Sequence, residues 1–119
     1  MNEHPLVSIV VITYNSGNTI LETLDSIYNQ TYSNIELIIC DDFSRGNTID
    51  LCEKWIGENG KKFTDVSLLQ NRKNTGTVKN LNNGIKASNG KYVKPLAGDD
   101  QLVSSAIEEF VHFMQIHKD

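Results

Sequence analysis

Two pairs of adjacent carboxylates could do chemistry in this chain: Asp41–Asp42 in "IICDDFS" and Asp99–Asp100 in "KPLAGDDQL". Neighbouring like charges repel, and a cation, a hydroxyl-bearing ligand or a helix N-terminus can make use of such a pair. The simplest use is a hard divalent ion, which takes oxygen ligands and bridges to phosphate. Of the two pairs, Asp99–Asp100 is better placed for a metal. It follows the apolar run "YVKPLA", and Gly98 just before it permits a tight backbone turn. Two further polar clusters accompany the acids, "TYN" (13–15) and "NRKNTG" (71–76). A plainer use exists for each residue, because Thr13, Asn15, Asp41, Asp42, Ser44, Asn74 and Asp100 are all good N-cap or turn residues. A cap needs only one such side chain, however, and a doubled aspartate exceeds that need.

The elements that must position these residues are legible from periodicity. Four short apolar runs read as strands: "LVSIVVI" (6–12), "IELIIC" (35–40), "DVSLLQ" (65–70) and "KYVKPL" (91–96). The first is nearly continuous and β-branched, as in a strand covered on both faces. In the fourth, Pro95 lacks an N–H and suits a strand end or a sheet edge. Between and after them lie amphipathic segments. Ile20, Leu24, Ile27 and Tyr28 fall on one helix face, and Ile49, Cys52, Trp55 and Ile56 on another, with Gly57 near a helix stop. Val78, Leu81 and Ile85 are expected on the inner side of a third, Asn-rich helix. Ile107, Phe110, Val111 and Met114 define the inner face of a fourth. Strict β/α alternation over short connections predicts a parallel, doubly wound α/β sheet of about four strands with flanking helices. Ligands bind such sheets beyond the carboxyl ends of the strands, at a topological switch point. All four polar clusters follow a strand, so all four belong to one rim.

Other chemistries are poorly served. No G-x-G-x-x-G follows the first strand and no G-x-x-x-x-G-K-[ST] occurs, so a phosphate would be held by metal rather than by a glycine-rich loop. No G-x-S-x-G is present, and no cysteine near a strand end has a histidine in prospect. The two cysteines, Cys40 and Cys52, have neither metal nor disulfide spacing and read as buried free thiols. The formal net charge of −4 argues against nucleic acid as a partner, since that binding rests on Lys and Arg. The first residues lack a signal-peptide pattern, and the apolar run there is too short to span a bilayer, so a cytoplasmic protein is expected.

The stretch "VSIVVITYNSGNTILETLDSIYNQTYSNIELIICDDFSRGNT" resembles the N-terminal part of the family 2 inverting glycosyltransferases, which have the GT-A fold. Tyr14, Asn15, Ser26, Gln30, Thr31, Tyr32, Glu36, Asp41, Asp42 and Ser44 match that pattern. "NTGTVKNLNNGIKASNGKYVKPLAGDD" is similar to its next stretch, through Asn74, Gly76, Asn80, Gly84, Ile85, Ser88, Gly90, Tyr92, Asp99 and Asp100. The resemblance covers residues 6 to about 102. It implies a nucleotide-diphospho-sugar donor, by family habit a UDP-sugar, and a sugar or lipid-linked acceptor hydroxyl. It implies that Thr13 and Tyr14 line the nucleotide base with Asn15 beside them, and that Asp41 accepts a hydrogen bond from the base. Asp42 and Lys79 belong to the same nucleotide site. Asp99 would contact the ribose or phosphate region, and Asp100 would coordinate Mg²⁺ or Mn²⁺ bridging the diphosphate. Two positions depart from the pattern. Lys79 stands where arginine is common, and Ala97 stands where the family's extended metal motif has a first acid.

Domains of this family are normally much longer than 119 residues. The acceptor site and the general base lie downstream of the matched stretch, and no residue here is a candidate for that base; Glu108 and Glu109 are expected to face solvent. The expectation is therefore that residues 1–119 are the donor-binding part of a glycosyltransferase domain, inactive alone, which in the longer protein works in the cytoplasm or at the inner face of the membrane. A part so cut would expose a core face and self-associate. Two alternatives compete. One is a catalytically silent nucleotide-binding or regulatory module of the same fold. The other is a two-component receiver domain, but that needs its acidic pair after the first strand, a phospho-acceptor Asp after the third and a Lys after a fifth.

Overall fold

The computed structural model describes residues 4–117. A four-stranded, all-parallel sheet forms its centre: β1 (Val7–Thr13), β2 (Ile35–Asp41), β3 (Asp65–Gln70) and β4 (Tyr92–Ala97). Between and after the strands run α1 (Ile20–Tyr28), α2 (Thr48–Asn59), α3 (Thr77–Ala87) and α4 (Ala106–Ile116). The spatial order is β3-β2-β1-β4. The chain thus winds outward from β1 to β3 and then returns to the other side of β1. The predicted doubly wound α/β sheet is the observed fold.

Burial explains the layering. β1 and β2 are central and almost wholly buried, as their unbroken Val/Ile/Leu runs require. One face of the sheet receives Ile20, Leu24, Cys52, Trp55, Ile107 and Val111 from three helices, packed on Ile9, Val11, Leu37 and Ile39. The other face is covered by α3 alone and offers only Val10, Ile38 and Cys40 as fully buried apolar residues. Pro95 lies in β4, an edge strand, where a missing N–H breaks no interior ladder. Cys40 and Cys52 are buried and free, and burial pushes the Cys40 thiol up to about 11. Burial, with Asp41 and Glu53 adding to it, pushes Cys52 to about 12.

Two element readings need correction. The inner side of α3 is not Val78, Leu81 and Ile85. Val78 is 74 % exposed and Ile85 is also exposed, whereas Asn80 and Gly84 are the buried pair and Leu81 is half-buried. The physical reason is close approach. A side chain at Gly84 would run into Val10 and come within 2.7 Å of Cys40 Sγ, so only glycine lets α3 lie this near the sheet. Asn80 earns its burial through Nδ2, which donates to the Cys40 carbonyl at 2.9 Å. Gly57 likewise does not stop α2, which continues to Asn59 before a short 3-10 turn over Gly60–Lys62.

Several polar positions fasten these elements together. Glu36 is buried and accepts Ser8 Oγ at 2.6 Å, the Asn89 amide at 2.8 Å and Asn89 Nδ2 at 2.9 Å. Gln30 joins α1 to the start of α4, donating to the Val103 carbonyl at 2.8 Å and accepting the Ile107 amide at 3.0 Å. Among the described residues, no helix is long and apolar enough to cross a membrane.

Candidate functional site

In this strand order the switch point lies between β1 and β4, because the chain leaves β1 in one direction and β4 flanks it on the other. A cleft of about 500 Å³ opens there, beyond the carboxyl ends of those strands. Five residues singled out from the sequence line it: Thr13, Tyr14, Asn15, Asp42 and Asp99. Asp41, Lys79 and Asp100 do not. Lys79 is exposed on the first turn of α3, beside the lining residues Thr77 and Asn80. Asp100 is exposed next to Asp99, and its amide closes a tight turn by donating to the Ala97 carbonyl at 3.0 Å.

The first acidic pair is satisfied from within the chain. Asp41 is 0 % exposed. It accepts Thr13 Oγ1 at 2.6 Å, Ser44 Oγ at 2.5 Å and the Ser44 amide at 2.8 Å. In-register pairing of Thr13 with Asp41 across β1 and β2 sets this contact. Asp42 is 4 % exposed and points the other way, into the loop after β3. Its Oδ1 accepts Asn71 Nδ2, the Thr75 amide and Thr75 Oγ1, each at 2.8 Å, and its Oδ2 accepts the Gly76 amide at 2.8 Å. Burial works to raise the Asp42 pKa, but these donors outweigh it and hold the carboxyl below the usual carboxylate range. No cation is needed to offset this pair.

The second pair differs. Both Asp99 and Asp100 are exposed, and neither carboxylate has a hydrogen-bond or ion-pair partner among the described residues. No described group of three or more His, Cys, Asp or Glu is gathered around a metal position. Two open carboxylates beside a cleft fit an ion of the magnesium type, which completes its shell with water and substrate phosphates rather than with a protein cage. None of the candidate residues is a helix N-cap, although the turn use holds for Asp41, whose carboxylate accepts the Ser44 amide, and for Asn15 at positive φ. The helices begin after Thr19, Asn47, Gly76 and Ser105, and none of these makes a side-chain capping bond.

Periodicity missed part of the lining. Ser16, Asn18 and Thr19 enter the cleft because the loop after β1 folds across it. Gly98 closes the floor. Its carbonyl accepts Thr19 Oγ1 at 2.8 Å and Thr23 Oγ1 at 3.0 Å, and its amide donates to the Ile12 carbonyl at 2.9 Å. A Cβ here would meet Ser16 Oγ and Thr13 Cγ2, both at 3.0 Å, so this glycine serves close approach rather than an unusual turn angle. The signal for these residues was weak, since Ser, Thr and Asn after a strand are what any loop contains.

Comparison with known proteins adds a lineage to this geometry. The family model described as Glycosyl transferase family 2 matches residues 8–119. The chain is 36% identical over 113 residues to the Escherichia coli UDP-Glc:alpha-D-GlcNAc-diphosphoundecaprenol beta-1,3-glucosyltransferase WfaP, covering 95% of this chain and 43% of that protein. Among solved structures, S. aureus TarS in complex with UDP-GlcNAc superposes with a TM-score of 0.83 at 27% identity, over 93% of this chain and 31% of that one. The mannosyltransferase PcManGT from Pyrobaculum calidifontis, in complex with GDP-Man and Mn2+, gives 0.77 at 26% identity, over 82% and 28%. The chain therefore spans less than half the length of each of these relatives.

Proposed function

This chain belongs to glycosyl transferase family 2, and from that premise we propose that its cleft holds a nucleoside-diphospho-sugar for transfer to an acceptor hydroxyl. The observation that carries the reading is the contrast between the two acidic pairs. Asp41–Asp42 is held by donors of the chain itself, while Asp99–Asp100 is open at the mouth of a cleft on the switch point.

The base lies against Thr13 and against Tyr14, a residue 52 % exposed whose ring can pack on it. The carboxylate that meets the base is Asp42. It lines the cleft, and its Oδ2 carries only the Gly76 amide, leaving a lone pair for a ring N–H. Asp41, sealed behind Thr13 and Ser44, holds those two residues in position. Asp99 faces the ribose and diphosphate, and Asp99 and Asp100 together would hold Mg²⁺ or Mn²⁺. That ion supplies charge stabilisation to the departing diphosphate. Lys79 adds a cation beside the mouth. UDP is the expected nucleotide, in keeping with the names of two of the three relatives.

No residue of the cleft is left to act as general base. Asp42 is bonded on both oxygens, Asp99 is on the metal side, and no histidine lines the cavity. The base and acceptor site thus come from outside these 119 residues, and the donor half alone binds without turnover. The lipid-linked acceptor in the name of the E. coli relative supports the inner membrane surface as the working place of the longer protein.

Titration calorimetry with UDP in the presence of Mn²⁺ tests the assignment. Binding is expected for the wild-type chain. Asp100→Ala should weaken it about tenfold or more, on the scale of a lost charge-assisted contact. UDP affinity that is the same with and without Mn²⁺, or untouched in Asp100→Ala, would remove the metal–diphosphate reading.

A further inference from the structure

The loop after β1 is latched to the loop after β2 by Asn15, and we propose that this latch, not a contact from Asn15 to the nucleotide, sets the position of the base-facing wall. Asn15 adopts φ 53°, a left-handed conformation that asparagine tolerates and most residues do not. In that conformation its amide donates to Ser44 Oγ at 2.8 Å and its Oδ1 accepts the Arg45 amide at 2.8 Å. Ser44 is itself fixed, since its hydroxyl and amide both donate to the buried Asp41. Asp41 also accepts Thr13 Oγ1. One buried carboxylate therefore gathers both ends of the latch, with Tyr14 between Thr13 and Asn15. A second contact backs the same loop. Gly17 abuts the Asn47 side chain so closely that a Cβ would collide with Asn47 Oδ1. Phe43, at φ 65°, shows that the β2 side of the latch is also held in an uncommon backbone state.

Ser44 does not line the cleft, which separates positioning from contact. If Asn15 worked by touching the nucleotide, losing Ser44 Oγ would not imitate losing the Asn15 side chain. If the latch sets the wall, it would. The inference rests on the nucleotide reading for its consequence but not for its mechanics, and two measurements keep the two apart.

The first is amide hydrogen exchange over residues 14–18 in the ligand-free protein. Asn15→Gly, which keeps access to positive φ, and Ser44→Ala should each speed exchange about tenfold there and not in β1 or β2. Asn15→Asp, which keeps an oxygen acceptor, should stay within about threefold of wild type. The second is affinity for UDP and for inorganic pyrophosphate, each with Mn²⁺. Asn15→Gly and Ser44→Ala should weaken UDP about tenfold and leave pyrophosphate within about twofold, because Asp99–Asp100 is outside the latch. The double variant should lose no more than the stronger single one. Unchanged exchange in both single variants would overturn the latch. So would UDP loss in Asn15→Gly with none in Ser44→Ala, which assigns Asn15 to the ligand. Wild-type protein that binds neither ligand would defeat the nucleotide reading, and the exchange data would still decide the latch.

Discussion

Asp42 accepts four hydrogen bonds from one loop, and that decides how it responds to acid. Burial works to raise its pKa, and the Asn71, Thr75 and Gly76 donors more than reverse this. Glu36 follows the same balance, with burial opposed by Ser8 and Asn89, and its pKa is also lowered. A carboxylate whose folded pKa lies below its unfolded one stabilises the fold at pH above the ordinary value of about 4, and that stability is lost as pH falls through the folded pKa. Urea unfolding across pH should therefore show a plateau above about pH 5 and a decline below about pH 4. Asp42→Asn should cost about 2–3 kcal/mol at neutral pH, because an amide turns a donor towards donors. It should also show a shallower acid limb than wild type. An acid limb of unchanged slope would mean that Asp42 is not a stabilising group. The sequence marked this carboxylate but not its partners. Asn71, Thr75 and Gly76 are ordinary loop residues until the β3–α3 connection brings them round it. A count of charges on a rim therefore overstated the need for a cation at Asp41–Asp42, where the chain's own donors satisfy both carboxylates.

The elements were legible wherever burial and hydropathy agree. Val/Ile runs placed β1 and β2, and the spacing of Ile20, Leu24 and Ile27 placed the buried face of α1. They disagree in α3, where the buried positions are an asparagine and a glycine. Hydropathy ranks both as surface residues, and only the distance to Val10 and Cys40 reveals why they point inward. Two glycines should accordingly respond to alanine with opposite signs. Gly84→Ala forces a methyl group into Val10 and Cys40 and should destabilise by about 1–3 kcal/mol. Gly57→Ala, within α2 with nothing inside 4 Å of the new Cβ, should stabilise by about 0.5–1 kcal/mol through lower chain entropy in the unfolded state. Thermal unfolding of the two variants beside wild type reads both, and equal shifts would contradict the packing described for α3.

At the scale of the whole molecule the two sheet faces are unequal. Three helices cover one and α3 alone the other, where Ile12, Leu69, Leu81 and Val93 remain only partly buried. The two edges are unequal as well. Pro95 and the neighbouring lysines Lys91 and Lys94 blunt β4. β3 has no such guard along "VSLLQ", and no described strand pairs its outer side. We expect the 119-residue chain to associate through β3 and the thinly covered face. Light scattering should show mass rising with concentration, and Leu69→Lys, on the thinly covered face of β3, should shift the distribution towards monomer. A constant monomer mass over the range used for calorimetry would refute this.

The strand order carries a further consequence, for the time at which the cleft can exist. Its walls are β1 and β4, the first and last of the four described strands, and the bond from Thr19 to the Gly98 carbonyl joins residues 79 apart. Closing so long a segment is entropically costly, and parallel pairing of this kind forms slowly. As the chain emerges from the ribosome, β1, β2 and β3 can pair in succession while the place beside β1 stays vacant. Nothing that reads the donor can act until "GDD" has been made.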